Sequence, residues 1–418
     1  MKSVWQRLRR LLCLAAVTLS ATAADDFLDQ VQDFLSFSAR DTQWRGRISG
    51  ALDLEGYRVQ LPAPGVLGTK DGSLLESRLT VFLDAQLGSE VYLFAQARAD
   101  HGFDPGEGPG QLRLDEVAVR YAPWGRKQPT VQVGRFATAV GNWANRHDSW
   151  TNPFITAPLP YELLTGIWDT DAVRSSTALL QWAHIRPGLP AAQTALEKSL
   201  RVPIVWGPSY ADGVSLFGGA GRVNYVFEGK LGSLSSRPEA WPRGREQLTH
   251  PTLSARVTFR PNQMWQLGLS ASTGSYLREF AARGIPAGYG RGDYRQEVLA
   301  HDLAFAWHHW QVWAEAYASR FTIPRLGDAD VFAYYTEVKY KFTPQLSGAV
   351  RWNQQLYGTI PDRGSRTRWG QEVWRVDVAP GYRFSPHTQL KLQYGLQHGD
   401  SGRRDTTRTL ATQFTVRF

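Results

Sequence analysis

The chain has 418 residues, of which 42% are hydrophobic and 20% charged, and its formal net charge at pH 7 is +9. Mean hydropathy is negative, and no apolar run after Leu19 approaches the roughly 20 residues of a membrane helix. The composition therefore excludes a bundle of membrane helices, and the single cysteine, Cys13, excludes a disulfide framework.

The N-terminus is typical of a secretory signal peptide. Basic residues from Lys2 to Arg10 precede the apolar segment 11–19, and Ala21-Thr22-Ala23 forms a small-residue cleavage site. An uncleaved anchor is disfavoured because the apolar segment is too short to cross a bilayer. We expect residues 1–23 to be removed. The mature chain then has no thiol, and its net charge falls from +9 to +5, because the segment holds four Lys and Arg and no Asp or Glu.

Residues 24–43 are predicted to form a separate N-terminal segment of the mature chain. Between Asp25 and Ser38, apolar residues recur at helical spacing with acidic residues between them. A short amphipathic helix and a frayed terminus both fit this pattern, since a helix of this length is marginal without a docking surface.

Most of the chain from residue 44 to 418 alternates apolar and polar side chains, the pattern of strands with one apolar face. In 374–384, for example, even positions are apolar and odd positions are charged or small. Seven short turns and eight long loops separate these segments, which requires sixteen strands with both termini on the short-turn side. The turns lie at 88–89, 124–128, 218–222, 261–263, 308–309, 343–345 and 385–387, and the loops at 58–73, 101–110, 137–212, 235–250, 277–293, 322–330, 357–372 and 399–405.

Aromatic residues cluster where the predicted strands meet the short turns. Because such rings favour a membrane–water interface, we interpret the cluster as one girdle of a membrane barrel. Its members are Trp124, Phe259, Trp265, Trp307, Trp310, Phe342, Phe384 and Phe418.

The last nine residues, Leu410 to Phe418, form an alternating segment that ends the chain on an aromatic residue. Here the sequence resembles the outer-membrane β-barrels of Gram-negative bacteria, whose closing strand typically ends in Phe. The resemblance implies an all-β fold, a single transmembrane antiparallel barrel with short periplasmic turns and long extracellular loops. It also implies the cell outer membrane as location, a periplasmic position for residues 24–43, and contacts with outer-membrane lipid and the barrel-insertion machinery, for which Phe418 would be the assembly signal. In such a barrel, we expect the basic loop residues Arg363, Arg366, Arg368, Arg403 and Arg404 to neutralise phosphates of surface lipopolysaccharide.

The long insertion 137–212 carries two open questions. Segments 178–182 and 201–206 could form one further hairpin, which would give eighteen strands instead of sixteen. Val131 to Phe136, leading into Gly141-Asn142-Trp143, resembles the porin segment that precedes the constriction loop. The resemblance implies a loop from Thr138 to about Thr170 that folds into the lumen, although an extracellular lid fits equally well. The residues predicted near a constriction are Arg135, Arg146, His147, Asp148 and Glu162.

Inward-facing positions after residue 251 carry more bases than acids. The alternation predicts nine pore-lining bases, Arg256, Arg260, Lys339, Lys341, Arg351, Arg375, Arg383, Lys391 and Arg417, against four acids, Asp302, Glu315, Glu337 and Asp377. In the first half the balance is nearer even. Part of these charges should pair across strands, but the surplus predicts a positive lumen, because low-dielectric walls focus the field.

These observations favour a passive porin-type diffusion channel for small hydrophilic, preferably anionic solutes. General porins are often trimers, so the resemblance also makes a homotrimer a candidate. The alternatives are a structural or adhesive barrel with an occluded pore and, third, a barrel enzyme. We predict no catalytic residues, because the consecutive His147-Asp148-Ser149 cannot form a triad. We also predict no metal site, no cofactor and no nucleic-acid partner.

Overall fold

The computed structural model describes residues 21–38, 44–124, 129–183, 189, 191–239, 249–400 and 403–418. Residues 1–20 of the predicted signal peptide lie outside this range. So do parts of the predicted segment 24–43, of the predicted turn 124–128 and of the predicted loops 137–212, 235–250 and 399–405.

Sixteen antiparallel strands form a closed barrel, which confirms the predicted number. Each strand pairs with the next in the chain, and the last pairs with the first to close the ring. The strands are β2 (Trp44–Val59), β3 (Ser73–Leu87), β4 (Val91–Asp100), β5 (Gln111–Tyr121), β6 (Thr130–Phe136), β7 (Ala211–Ala220), β8 (Val223–Lys230), β9 (Thr252–Phe259), β10 (Trp265–Ser275), β11 (Arg295–Trp307), β12 (Trp310–Ile323), β13 (Gly327–Lys341), β14 (Leu346–Tyr357), β17 (Val373–Arg383), β18 (Thr388–Asp400) and β19 (Arg403–Arg417).

Three short strands lie outside the ring of sixteen. Strand β1 (Ser36–Ser38) pairs antiparallel with the start of β2. The segment before the barrel is therefore joined to the sheet at this point. Strands β15 (Thr359–Asp362) and β16 (Ser365–Arg368) form a hairpin within the loop between β14 and β17.

The alternative of eighteen strands is wrong. Residues 178–182 belong to helix α3 (Ser176–Trp182), because Ser175 caps this segment by accepting a hydrogen bond from the Ala178 amide at 3.2 Å. Residues 201–206 contribute only an isolated bridge between Trp168 and Arg201. The other helices are α1 (Ala21–Phe34), α2 (Leu159–Glu162) and α4 (Ala191–Leu200), with 3-10 turns at Trp143–Arg146, Glu279–Gly284 and Arg291–Asp293.

Helix α1 lies at the short-turn end of the barrel. Its residues overlap the segment 25–38, for which a helix and a frayed terminus both fit the sequence. The Asp29 carboxylate is 3.0 Å from Nε2 of His387, which follows β17 in a short turn. Phe27 and Phe34 are 62% and 87% exposed, whereas Leu28 and Val31 are half-buried. Among the described residues, no helix is long and apolar enough to cross a membrane.

The outer surface of the barrel is apolar. Outward side chains such as Leu253, Leu299 and Val350 are half exposed, while inward neighbours such as Arg351 are fully buried. At the short-turn end, Trp124, Phe259, Trp265, Trp307, Trp310, Phe342 and Phe384 are all exposed, as expected of an aromatic girdle.

Candidate functional site

The described residues between β6 and β7, 137–183, 189 and 191–210, fold into the barrel and are called the inserted loop. Its apolar residues Val140, Trp143, Tyr161 and Val205 pack against inward residues of β12 and β13. This packing forms the largest hydrophobic cluster of the described structure and includes Tyr317, Phe321, Ala333 and Tyr335 from the wall. The loop therefore fills one side of the lumen.

Gly141 fixes the entry of the inserted loop. Its amide donates to Ser270 Oγ at 3.2 Å, and its carbonyl accepts a bond from the Arg256 guanidinium. Its φ is +74°, and a Cβ there would lie 1.9 Å from Tyr317 Oη. Only glycine meets both demands, because it tolerates a positive φ and carries no side chain.

A tyrosine–carboxylate cluster holds the middle of the loop. The Tyr161 hydroxyl donates to Glu315 Oε2 at 2.6 Å, and the Tyr317 hydroxyl bonds the same oxygen at 2.5 Å. The next loop residue after Gly141, Asn142, donates its amide to Glu315 Oε1 at 3.0 Å. One wall carboxylate thus binds two distant parts of the loop.

The Pro-rich segment 152–162 is bound by strands β14 and β17. Arg351 donates to Thr156 O at 3.0 Å and to Thr156 Oγ1 at 2.9 Å. Arg375 forms an ion pair with Glu162 and donates to the carbonyl of Ala157. Buried guanidiniums therefore satisfy the backbone of a segment that forms little secondary structure of its own.

Strand β18 binds the same segment and its flank. The Gln393 amide oxygen accepts bonds from the Ile155 and Thr156 amides at 2.7 and 3.1 Å. The Lys391 ammonium donates to Ser149 O at 2.7 Å and Asn152 O at 3.0 Å.

Four of the nine predicted pore-lining bases are buried and donate hydrogen bonds to the loop. Arg256, Arg351 and Arg375 also form ion pairs with the wall, to Asp302 at 2.8 Å, Glu337 at 3.2 Å and Asp377 at 3.0 Å respectively. Lys391 is the fourth. Their predicted influence on permeating ions stays a prediction, and the structure assigns them contacts with the loop that alternation alone could not indicate.

The other five predicted bases lie toward the short-turn end. Arg260 is exposed and donates to Gln266 Oε1 at 2.7 and 3.0 Å. Arg383 and Arg417 both lie over the Trp150 ring, with Cζ atoms 4.8 and 4.0 Å from its centroid. The charged groups that act on Lys339 are Lys341 and Arg383, which are also cationic.

The predicted constriction residues fall in two places. Arg146, His147, Asp148 and Glu162 lie in the inserted loop, where Arg146 pairs with Glu337 at 2.6 Å. Arg135 lies on β6 and donates to backbone carbonyls of Asp115, at 3.1 Å, and Glu239. Arg135 thus belongs to the barrel wall, whereas the other four belong to the loop.

His147 is held as a neutral ring. Its Nδ1 lies 2.6 Å from the Ala144 carbonyl, which can only accept, so Nδ1 carries the proton. Nε2 then accepts from the Tyr210 hydroxyl at 3.0 Å. Loss of water around the ring, with repulsion from Arg98, lowers the pKa of His147 to about 4.

Sequence reasoning missed a buried ion-pair network on β5. Arg113 pairs with Asp100 and Asp115, and Asp115 also pairs with Arg98 at 3.3 Å. A register shift between β4 and β5 at Gln96/Ala97 turns Asp115 inward. The sequence contains a sign of this register shift. Outward apolar residues change from even positions, Leu112 and Leu114, to odd positions, Val117 and Val119.

A cavity of about 610 Å³ remains between the inserted loop and the wall formed by β19, β2, β3 and β4. The loop contributes Trp143, His147, Asp148 and Trp150, and the wall contributes Arg47, Asp53, Arg78, Arg98 and Arg417, among others. Arg78 is neutralised by Asp53 and Glu55, and Arg98 by Asp115.

No family model and no curated protein matches the sequence. Solved structures do match the fold. The chain is similar to the outer membrane channel DcaP of Acinetobacter baumannii, with a TM-score of 0.53 and 12% identity over 91% of this chain and 99% of that chain. It is similar to the anion-selective porin from Comamonas acidovorans, with a TM-score of 0.54 and 9% identity over 90% of this chain and all of that one.

A third similar structure is the trimer form of OmpT, an outer membrane protein of Vibrio cholerae, with a TM-score of 0.51 and 9% identity over 90% of this chain and 99% of that chain. At these identities the similarity concerns the fold. The chain has the sixteen-stranded barrel fold of outer-membrane porins.

Proposed function

We propose that the protein is an outer-membrane diffusion channel for small hydrophilic solutes and that it favours anions. The apolar outer surface and the aromatic girdle support a membrane location. The volume of the open cavity, about 610 Å³, lies within the range of about 300–1,000 Å³ that small molecules occupy in proteins. The proposal includes no catalytic step.

The observation that carries the anion preference is the charge left on the cavity wall once ion pairs are discounted. Arg47 and Arg417 line the cavity, and neither forms an ion pair with a described carboxylate. The carboxylate that acts on Arg417 is Asp148, whose oxygens accept bonds from the Trp150 amide at 3.0 Å and the Thr151 amide at 2.8 Å. An anion in the cavity would therefore meet two cations that form no ion pair, against the single unpaired carboxylate among the described lining residues, that of Asp148.

Planar-bilayer recordings under a KCl gradient test this proposal. We expect the reversal potential to shift toward that of chloride. The double variant Arg47→Gln/Arg417→Gln should lower the chloride preference by at least about fivefold, since even one of the two charges contributes about 1 kcal/mol at 4 Å in bulk water. The matched control is Arg295→Gln, which removes one exposed charge at the opposite end of the barrel. A cation-selective wild type would refute the preference.

The same recordings distinguish a barrel with an occluded pore. This second candidate is favoured by the hydrophobic cluster that the inserted loop builds on β12 and β13. Insertion without measurable conductance would support it against the channel.

We also propose a homotrimer, supported only by the trimeric state of the similar OmpT structure. Chemical crosslinking of the detergent-solubilised protein should stop at three copies. A product that stops at one copy would contradict this assembly.

A further inference from the structure

A second, smaller pocket lies between the loop residues Trp150–Pro153 and the wall formed by β13, β14, β17 and β18. Its volume is about 50 Å³, and we call it the basic pocket. Four cationic residues line it, and the described lining residues include no Asp or Glu. They are Lys339, Lys341, Arg383 and Lys391.

Lys391 is committed to the loop through the Ser149 and Asn152 carbonyls. Arg383 donates one bond, to Trp150 O at 3.3 Å, which leaves other donors of its guanidinium for a ligand. Lys339 and Lys341 form no ion pair with a described carboxylate, and the charged groups that act on Lys339 are Arg383 and Lys341, both cationic. The pocket thus gathers three like charges without a counter-charge of its own.

Asp148 is the carboxylate that acts on Arg383. Its oxygens are directed to the loop, where they accept bonds from the Trp150 and Thr151 amides and the Thr151 hydroxyl. It lies outside the described lining of the basic pocket. One partly engaged carboxylate cannot balance three cations.

Like charges held together in a partly desolvated site repel one another, so the arrangement is costly without a counter-ion. A multivalent oxyanion relieves this cost, because it offers several acceptor oxygens and more than one negative charge. The volume of about 50 Å³ exceeds the roughly 10–15 Å³ that one water molecule needs, so the pocket has room for a compact ion.

We propose that Lys339, Lys341 and Arg383 bind a small tetrahedral oxyanion, inorganic phosphate or sulfate, at the short-turn end of the lumen. The proposal rests on the proposed function and deepens it, since it places a saturable anion site beside the path of the channel. At such a site, a divalent oxyanion should be bound in preference to chloride.

Calorimetric titration of the purified full-length barrel with inorganic phosphate, in detergent at low salt, tests the site without any need for conductance. We expect saturable binding that weakens at least tenfold in Lys339→Gln/Lys341→Gln and is unchanged in Arg295→Gln. Lys341 is exposed at the end of β13, so the single variant Lys341→Gln should fold and should weaken binding by a smaller factor. Sulfate should compete with phosphate, and chloride at equal ionic strength should not.

Absence of saturable phosphate binding by the wild type, or equal binding by the lysine variants, would overturn the inference. A channel that is anion-selective but binds no phosphate would leave the proposed function standing without this site. A barrel that binds phosphate through these lysines but does not conduct would leave the site standing without the proposed function.

Discussion

His147 shows how one side chain can make the inserted loop sensitive to pH. The ring lies between Trp143 and Tyr210, with centroid distances of 5.9 and 6.2 Å, and both of its nitrogens are used in the neutral form. Protonation would place a second N–H against Tyr210, which already accepts from Gln96 at 3.4 Å. The docked loop therefore favours the unprotonated ring.

We predict that docking of the inserted loop weakens as pH falls from about 6.5 toward 4. The pKa of His147 is about 4 in the folded protein against about 6.5 for a free histidine, so the undocked form binds more protons in this window. The free energy that neutral His147 contributes to docking of the loop is fully present above about pH 6.5 and is lost on acidification toward pH 4. Limited proteolysis of the detergent-solubilised barrel should detect faster cleavage within 137–210 at pH 5 than at pH 7.

The variant His147→Gln supplies the control for this prediction. A glutamine amide can donate to Ala144 O without titrating, so its cleavage rate should be flat between pH 7 and pH 4. If wild type and variant show the same pH profile, another group is responsible.

At the scale of elements, the inserted loop depends on Gly141. We predict that Gly141→Ala displaces the loop while the barrel still assembles, because the new Cβ would lie 1.9 Å from Tyr317 Oη and the strand ladders are untouched. Backbone strain at a positive φ and overpacking against Tyr317 should together destabilise the docked loop by about 2 kcal/mol or more. Single-channel conductance should rise, since the displaced loop leaves a wider lumen.

Gly288→Ala is a matched control for this variant. Gly288 also has a positive φ, +89°, but a Cβ there would meet nothing within 4 Å. Unchanged conductance in Gly288→Ala and raised conductance in Gly141→Ala would assign the effect to the contact with Tyr317. Equal behaviour of the two variants would assign it to backbone strain alone.

The strands could be predicted from sequence because alternation is a local property. The 374–384 segment shows both faces within eleven residues, and the number of strands follows from counting turns. The loop contacts could not be predicted in this way. Arg375 is separated from Glu162 by 213 positions, and nothing near either residue in the sequence indicates the other.

Helices α3 and α4 were missed for a related reason. Both are short, and α3 is stabilised by its Ser175 cap and by packing of the fully buried Leu179 inside the barrel rather than by a long periodic pattern. A short apolar run such as 178–182 can be read as either strand or helix, and here tertiary packing decides.

At the scale of the whole molecule, the pairing of β19 with β2 closes the barrel, and Phe418 extends this pairing by one residue. Phe418 and Gly50 exchange backbone hydrogen bonds at 2.9 and 3.0 Å. The Phe418 ring packs on Gly50, where a Cβ would lie 2.5 Å from its Cζ atom. Arg417 is exposed and donates to Pro386 O at 2.7 Å in a neighbouring turn.

We predict that deleting Phe418 or replacing it with Asp blocks assembly far more than Arg417→Gln does. The first two changes remove the ring at the closing seam, whereas the third removes a polar contact in a turn. Heat-dependent mobility on gels checks this, because a closed barrel migrates differently before and after boiling. Equal assembly of the Phe418 and Arg417 variants would show that the terminal ring has no special role.

The pairing of β19 with β2 and the docking of the inserted loop both need strands that are synthesised late. Val59 pairs with Thr409, and Arg375 and Lys391 meet the inserted loop more than 200 residues after it has been made. Until then β2 has an unpaired edge and the apolar segment 152–161 has no surface to cover it, and both invite aggregation. The nascent chain must therefore be kept from collapsing until β14, β17 and β18 are available to the loop segment and β19 is available to β2.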